Sequence, residues 1–107
     1  MYLYYCIHTK NINVTWETKV IEKYIDETNM FFKESEGNYK GINFFCLIGL
    51  MKVKNWDSWN SENYDSQQTN YISIITSQHD NAVIPEQTIT IMKKLSELLC
   101  EDILLDK

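Results

Sequence analysis

The sequence predicts an α+β fold: a single-domain β-α-β-β-α sandwich over residues 1–107, with a small, mostly antiparallel sheet packed against two helices. Three observations point to it. Apolar residues recur with a helical period over 14–34 and again after Pro85. Runs rich in aromatic and β-branched residues fill 2–9, 42–54 and 70–77. No helical pattern separates the last two runs, so they are expected to pair directly. With 107 residues and 44% hydrophobic content, the chain suits one core and one domain.

The first strand is "YLYYCIHT" at 2–9. Alternation sets Tyr2, Tyr4, Cys6 and His8 on one face and Leu3, Tyr5 and Ile7 on the other, as in a strand covered by helices on one side. Over 14–34, Trp16, Val20, Ile21, Tyr24, Ile25 and Phe32 form an apolar stripe, which predicts a long helix capped by Asn13 or Thr15. "SEGNYKG" ends it, with Gly37 and Gly41 available for positive φ. "INFFCLIGLMKVK" at 42–54 begins apolar on both faces and ends in alternating lysines, as a central strand emerging into water does. The connection from the first strand to this one is expected to be a right-handed crossover through the helix. "NYISIITS" at 70–77 is the third strand, and "QHDNAV" turns the chain. Pro85 suits the first position of a closing helix, with Glu86 in its first turn and Ile91, Leu95, Leu98 and Leu99 as its buried stripe. The terminal "EDILLDK" either extends that helix or frays, and Ile103 to Leu105, if exposed, offer a self-association surface.

The totals set aside several classes. The longest apolar run, around Ile42 to Met51, is far short of the roughly 20 residues of a membrane span. The N-terminal "MYLYYCIHTK" has no basic region before its apolar part and no small-residue cleavage site, so it reads as structure and the expected compartment is the cytoplasm. Cys6, Cys46 and Cys100 are odd in number and lie in apolar-patterned segments, which predicts buried free thiols; a disulfide between two of them is the alternative. All ten basic residues are lysine, and none lies between Asn55 and Met92. That window holds Asp57, Glu62, Asp65, Asp80 and Glu86, and so carries the whole net charge of −5. Such a chain repels phosphates and lacks arginine to read them, so nucleic-acid binding is not expected and a cationic partner is favoured. A compositionally biased genome also yields chains without arginine, so the clustered carboxylates carry more weight than the missing arginines.

Catalytic signals are sparse. Cys6 and His8 share a strand face and His79 lies in a turn, too few ligands to converge on a metal or to form a nucleophile–base pair. No P-loop, GxSxG, HExxH or dinucleotide motif is present, and neither a cofactor nor a metal is expected. Asp57, Glu62 and Asp65 stand in polar surroundings that give no reason to expect shifted pKa values.

The unusual stretch is "NWDSWNSENYDSQQTNY" at 55–71, where two tryptophans and two tyrosines mix with three carboxylates. It joins adjacent strands, yet it is far longer than a hairpin needs. One reading makes Trp56 a plug on the open edge of the core, with the polar residues solvating a turn. The other makes the segment a recognition surface, in which aromatics bury large areas and carboxylates steer a cationic partner. The candidate partner-binding residues are Trp56, Asp57, Trp59, Glu62, Tyr64 and Asp65. Asp80 and Glu86 join them if the 78–86 turn lies at the same end of the sheet.

In size, in its lysine-free window 55–92 and in the "WDSWNSENYD" segment, the chain resembles the small acidic immunity proteins of bacterial polymorphic-toxin and contact-dependent growth inhibition systems. The resemblance is one of overall character. It implies a bacterial cytoplasmic protein without catalytic activity that binds a cognate basic toxin domain, such as a nuclease, one to one. The alternatives are a small-ligand or enzymatic domain lined by Tyr4 and His8, and a self-associating accessory protein.

Overall fold

The computed structural model describes residues 2–57, 63–77 and 84–106. Among them the chain forms β1 (Tyr2–His8), β2 (Trp16–Glu17), α1 (Thr18–Glu27), β3 (Phe31–Ser35), β4 (Asn38–Gly41), β5 (Cys46–Met51), β6 (Gln68–Thr69), β7 (Tyr71–Ser77), α2 (Glu86–Leu99) and β8 (Leu104–Asp106). The class is α+β, with more strands than the sequence suggested. Six strands form one antiparallel sheet in the order β3-β4-β5-β7-β1-β8, and β2 pairs with β6 beside it. The expected central and third strands are β5 and β7, which pair antiparallel from Cys46↔Thr76 to Met51↔Tyr71. β1 takes the other edge of β7 and therefore runs parallel to β5, one strand away.

The long helix expected over 14–34 is three elements instead. Trp16 and Glu17 are extended and pair with β6, and no side chain caps α1, so neither Asn13 nor Thr15 takes that role. The helix ends because the Thr28 side chain bonds the Ile25 carbonyl at 2.6 Å and Asn29 adopts a left-handed φ of 58°. Phe31 then points into the core and Phe32 outward, the alternation of a strand. "SEGNYKG" does not stop a helix but turns the β3–β4 hairpin, with positive φ at Gly37 and not at Gly41. At the other terminus, α2 ends on Cys100 in left-handed conformation, and the chain returns as edge strand β8 rather than extending the helix or fraying.

Both helices pack on one face of the sheet. Ile21 and Ile25 of α1 and Ile91 and Leu95 of α2 meet Ile7, Ile48, Leu50, Ile72 and Ile74 of the central strands, all fully or almost fully buried. Burying each such side chain contributes about 1.5–3 kcal/mol, so this layer supplies most of the driving force for folding. A smaller cluster of Cys6, Met51, Val53 and Tyr71 forms on the opposite face. No helix among the described residues is long and apolar enough to cross a membrane.

All three cysteines are free, but only Cys6 and Cys46 are buried; Cys100 is exposed at the end of α2, against expectation. Burial pushes the Cys46 thiol up to about 11, which disfavours the reactive thiolate. In the native protein, maleimide is therefore expected to label Cys100 first, with Cys6 and Cys46 labelled only after denaturation. Mass spectrometry of the digest reads this directly.

Candidate partner-binding surface

The aromatic and acidic segment leaves β5 and returns through β6 to β7, and its base is tied by backbone bonds. The amide of Lys52 donates to the carbonyl of Asn63 at 2.8 Å, closing a neck around residues 53–62. The amide of Asn70 donates to Met51, and that of Thr9 donates to Asn70. Asn70 is fully buried, and its carboxamide fastens the neck further. Its Oδ1 accepts the Val53 amide at 2.8 Å, while its Nδ2 donates to the carbonyls of Val53 and Ile12 at 3.0 and 3.1 Å. Only an amide side chain offers an acceptor and two donors in so small a volume.

Trp56 is the plug of the second cluster. Its ring stacks on His8 with centroids 4.2 Å apart, lies 6.3 Å from Tyr71, and shields the buried Cys6, Met51, Val53 and Tyr71. The His8 Nδ1–H donates to the Thr9 carbonyl at 2.7 Å, which fixes the tautomer under that stack. Cys6 and His8 thus form part of a packed floor. Asp57, beside Trp56, is exposed, and its amide donates to the Asn55 side chain in a tight turn.

Tyr64 reaches the helix side. Its hydroxyl donates to Glu22 Oε1 at 3.3 Å, and the Tyr39 hydroxyl donates to the other oxygen at 3.2 Å. Lys33 stands 3.6 Å from the same carboxylate and 3.2 Å from Glu36. Burial first, and then the Glu22 and Glu36 charges, raise the Tyr64 phenol above its usual range. The Tyr64 ring packs against Gly37, where a Cβ would collide with it, so both the turn and this contact require glycine.

Asp65 orders its own loop. Its Oδ1 accepts the amides of Gln67 and Gln68 at 2.8 and 2.9 Å, and these bonds hold its carboxyl below the usual range, contrary to the expectation of an unshifted group. The Asp65 carbonyl accepts the Thr18 hydroxyl, so the Thr69 hydroxyl must donate to Thr18 in their 2.7 Å contact.

The structure thus places Asp57, Tyr64 and Asp65 at the same end of the sheet, with Tyr64 on the helix side and Trp56 packed on His8 at the opposite face. It adds Glu22 and Glu36, which sequence reasoning missed because they lie in other elements. Glu86 does not join them. β7 runs away from the loop toward Ser77, and Thr88 of α2 sits beside Thr76 at that far end, roughly 20 Å along the strand. Trp59, Glu62 and Asp80, with His79, lie outside the described residues. Among the described residues no group of three or more His, Cys, Asp or Glu side chains could hold a metal ion.

Two outcomes follow from this anchoring. Asn70→Ala leaves the Val53 amide and two carbonyls without partners and is expected to destabilise the fold by about 3 kcal/mol in urea unfolding. Asp65 has a folded pKa below its ordinary 3.8, so its contribution is present above that value and is lost as pH falls through the folded pKa. Asp65→Asn keeps an acceptor for the turn. It is expected to lose less stability than wild type between neutral pH and about pH 2, read from thermal melts across pH.

Set against family models, curated proteins and solved structures, the chain matches none.

Proposed function

We propose that this protein is an inhibitory binding protein of the immunity type, which neutralises a basic toxin domain, a nuclease by preference, by seating the loop between β5 and β7 over its cationic active site. The observation that carries the reading is a loop bonded at its neck whose stretch from Asn55 to Asn70 holds three carboxylates and, after Lys52 and Lys54 at its start, no further lysine. The Lys52–Asn63 bond, the Asn70 carboxamide, the Trp56 stack and the Tyr64–Glu22 bond fasten it to the sheet on both faces. A fastened loop loses little conformational freedom on binding, so more of the contact energy is kept as affinity. Asp57 and Glu36 are exposed carboxylates at this end, suited to steering a cationic surface into register. Trp59 and Glu62, which follow Asp57 in the sequence, are the further aromatic and acidic residues that the reading includes.

The reading predicts one-to-one, salt-sensitive binding to a toxin domain encoded beside this gene. Reversing two charges, Asp57→Lys with Glu36→Lys, is expected to slow association about tenfold at low salt, with the difference narrowing at high salt. Surface plasmon resonance across ionic strength measures both effects. Unchanged association and unchanged protection of cells by that double variant would overturn the reading.

A further inference from the structure

The register that sends isoleucines under the helices turns their neighbours to the other face of the sheet, which is only half covered. Reading paired residues across the strands gives three rows on that face. One runs Phe32, Lys40, Leu47, Ile75 and Tyr4. The next runs Ser35, Asn38, Gly49, Ser73, Cys6 and Leu104. The third, Met51, Tyr71 and His8, is the row under Trp56. Because the middle row is built from small side chains between Gly49 and Cys6, it forms the floor of a groove between two higher rows.

Gly49 adds no side chain to this floor, and the Ser73 hydroxyl, 2.8 Å from where its Cβ would sit, closes on the space it leaves beside a depression in the face. The depression there has a volume of about 350 Å³, at the lower end of the range for ligand sites. Leu47, Met51 and Ile75 give it apolar walls, and Ser73 and Asn38 put polar groups within it. Glu34 is its one charged lining residue, and no cation among the described residues pairs with it, since Lys33 is engaged by Glu22 and Glu36. Beyond the depression the face carries Lys40 and several large apolar side chains. Of the ten exposed large hydrophobic residues among those described, Tyr2, Tyr4, Phe32 and Leu104 stand here. Contiguous exposed apolar surface of this kind marks an interaction site.

We propose that the helix-free face of the sheet is a second docking surface, which takes an extended segment of a basic protein across the strands and receives a lysine or arginine side chain in the depression over Gly49. The aliphatic stem of such a side chain covers Leu47, Met51 and Ile75, and its cationic head reaches the Glu34 carboxylate. The five spacings between six strands, at about 4.8 Å each, add to roughly 24 Å, the length of an extended peptide of about seven residues. The inference shares with the loop proposal only the sign of the partner's charge, and the two are separable by mutation.

The test is a titration of the ¹⁵N-labelled protein with a peptide of about seven residues alternating lysine and valine, long enough to span the groove. Saturable shifts are expected for the amides of Leu47 to Met51 and Ser73 to Ile75, and none with the glutamate counterpart of the peptide. Glu34→Lys is expected to weaken binding about fivefold or more, Ile75→Asp to abolish it, and Asp57→Lys to leave it unchanged. Loss on Asp57→Lys with Glu34→Lys silent, or shifts confined to residues 52–70, would overturn the groove while leaving the loop proposal in place. A dimer of the protein alone that Ile75→Asp dissociates would also overturn it, in favour of a second copy on this face.

Discussion

A six-stranded sheet has two faces, and both helices of this chain pack against the same one. That asymmetry governs the rest of the molecule. β5 and β7 lie at the middle of the sheet and are apolar on both sides, so their second face must be shielded by something other than a helix. The loop between them performs this at one end, folding Trp56 back over Cys6, Met51 and Tyr71. A hairpin of two residues would satisfy the strand connection but would leave that cluster open to water. The length of the loop and the tryptophan inside it therefore have one structural cause. Farther along the strands none of the described residues forms a layer over the face, and small residues there leave a trough instead of a core.

The same loop is held from the helix side by polar groups. Glu22 sits at the meeting point of α1, the β3–β4 hairpin and the loop, accepting hydroxyls from Tyr39 and Tyr64 and facing Lys33. A carboxylate with two neutral donors and one cation is well satisfied, and it constrains three segments far apart in sequence. Asn70 does the equivalent work at the neck through neutral bonds alone. The loop is thus clamped by a tryptophan stack on one face and by a charged hub on the other.

How legible this was in the sequence varies with the kind of signal. β1, β5 and β7 were readable because long apolar or alternating runs leave little choice of structure, and α2 because Pro85 marks its start. α1 was drawn too long because Phe32 happens to continue the helical period. The residue that enters the core is Phe31, and the left-handed Asn29 between helix and strand has no periodic signature. Strands as short as β2, β6 and β8 cannot show a period at all. In the candidate surface, the turn built on Asp65 was visible in principle, as an acidic residue able to cap the amides that follow it. The bond from Tyr64 to Glu22 spans 42 residues and depends on how the hairpin and helix converge, which no local pattern encodes. Trp56 fits both a plug and a recognition residue in the sequence, and its half-buried ring packs on His8 and the second cluster.

The closed neck at Lys52 and Asn63 separates two jobs within one connection. With the ends of the excursion bonded to each other, residues inside it can be lengthened, shortened or exchanged while the strands on either side keep their register. Doubling the length of a flexible loop costs only about 0.6 kcal/mol in closure entropy, small beside the burial that holds the sheet. Val53, Trp56, Tyr64 and Asn70, packed or bonded at the neck, are not free to vary in the same way. Such a neck lets a surface be rewritten repeatedly on an unaltered frame.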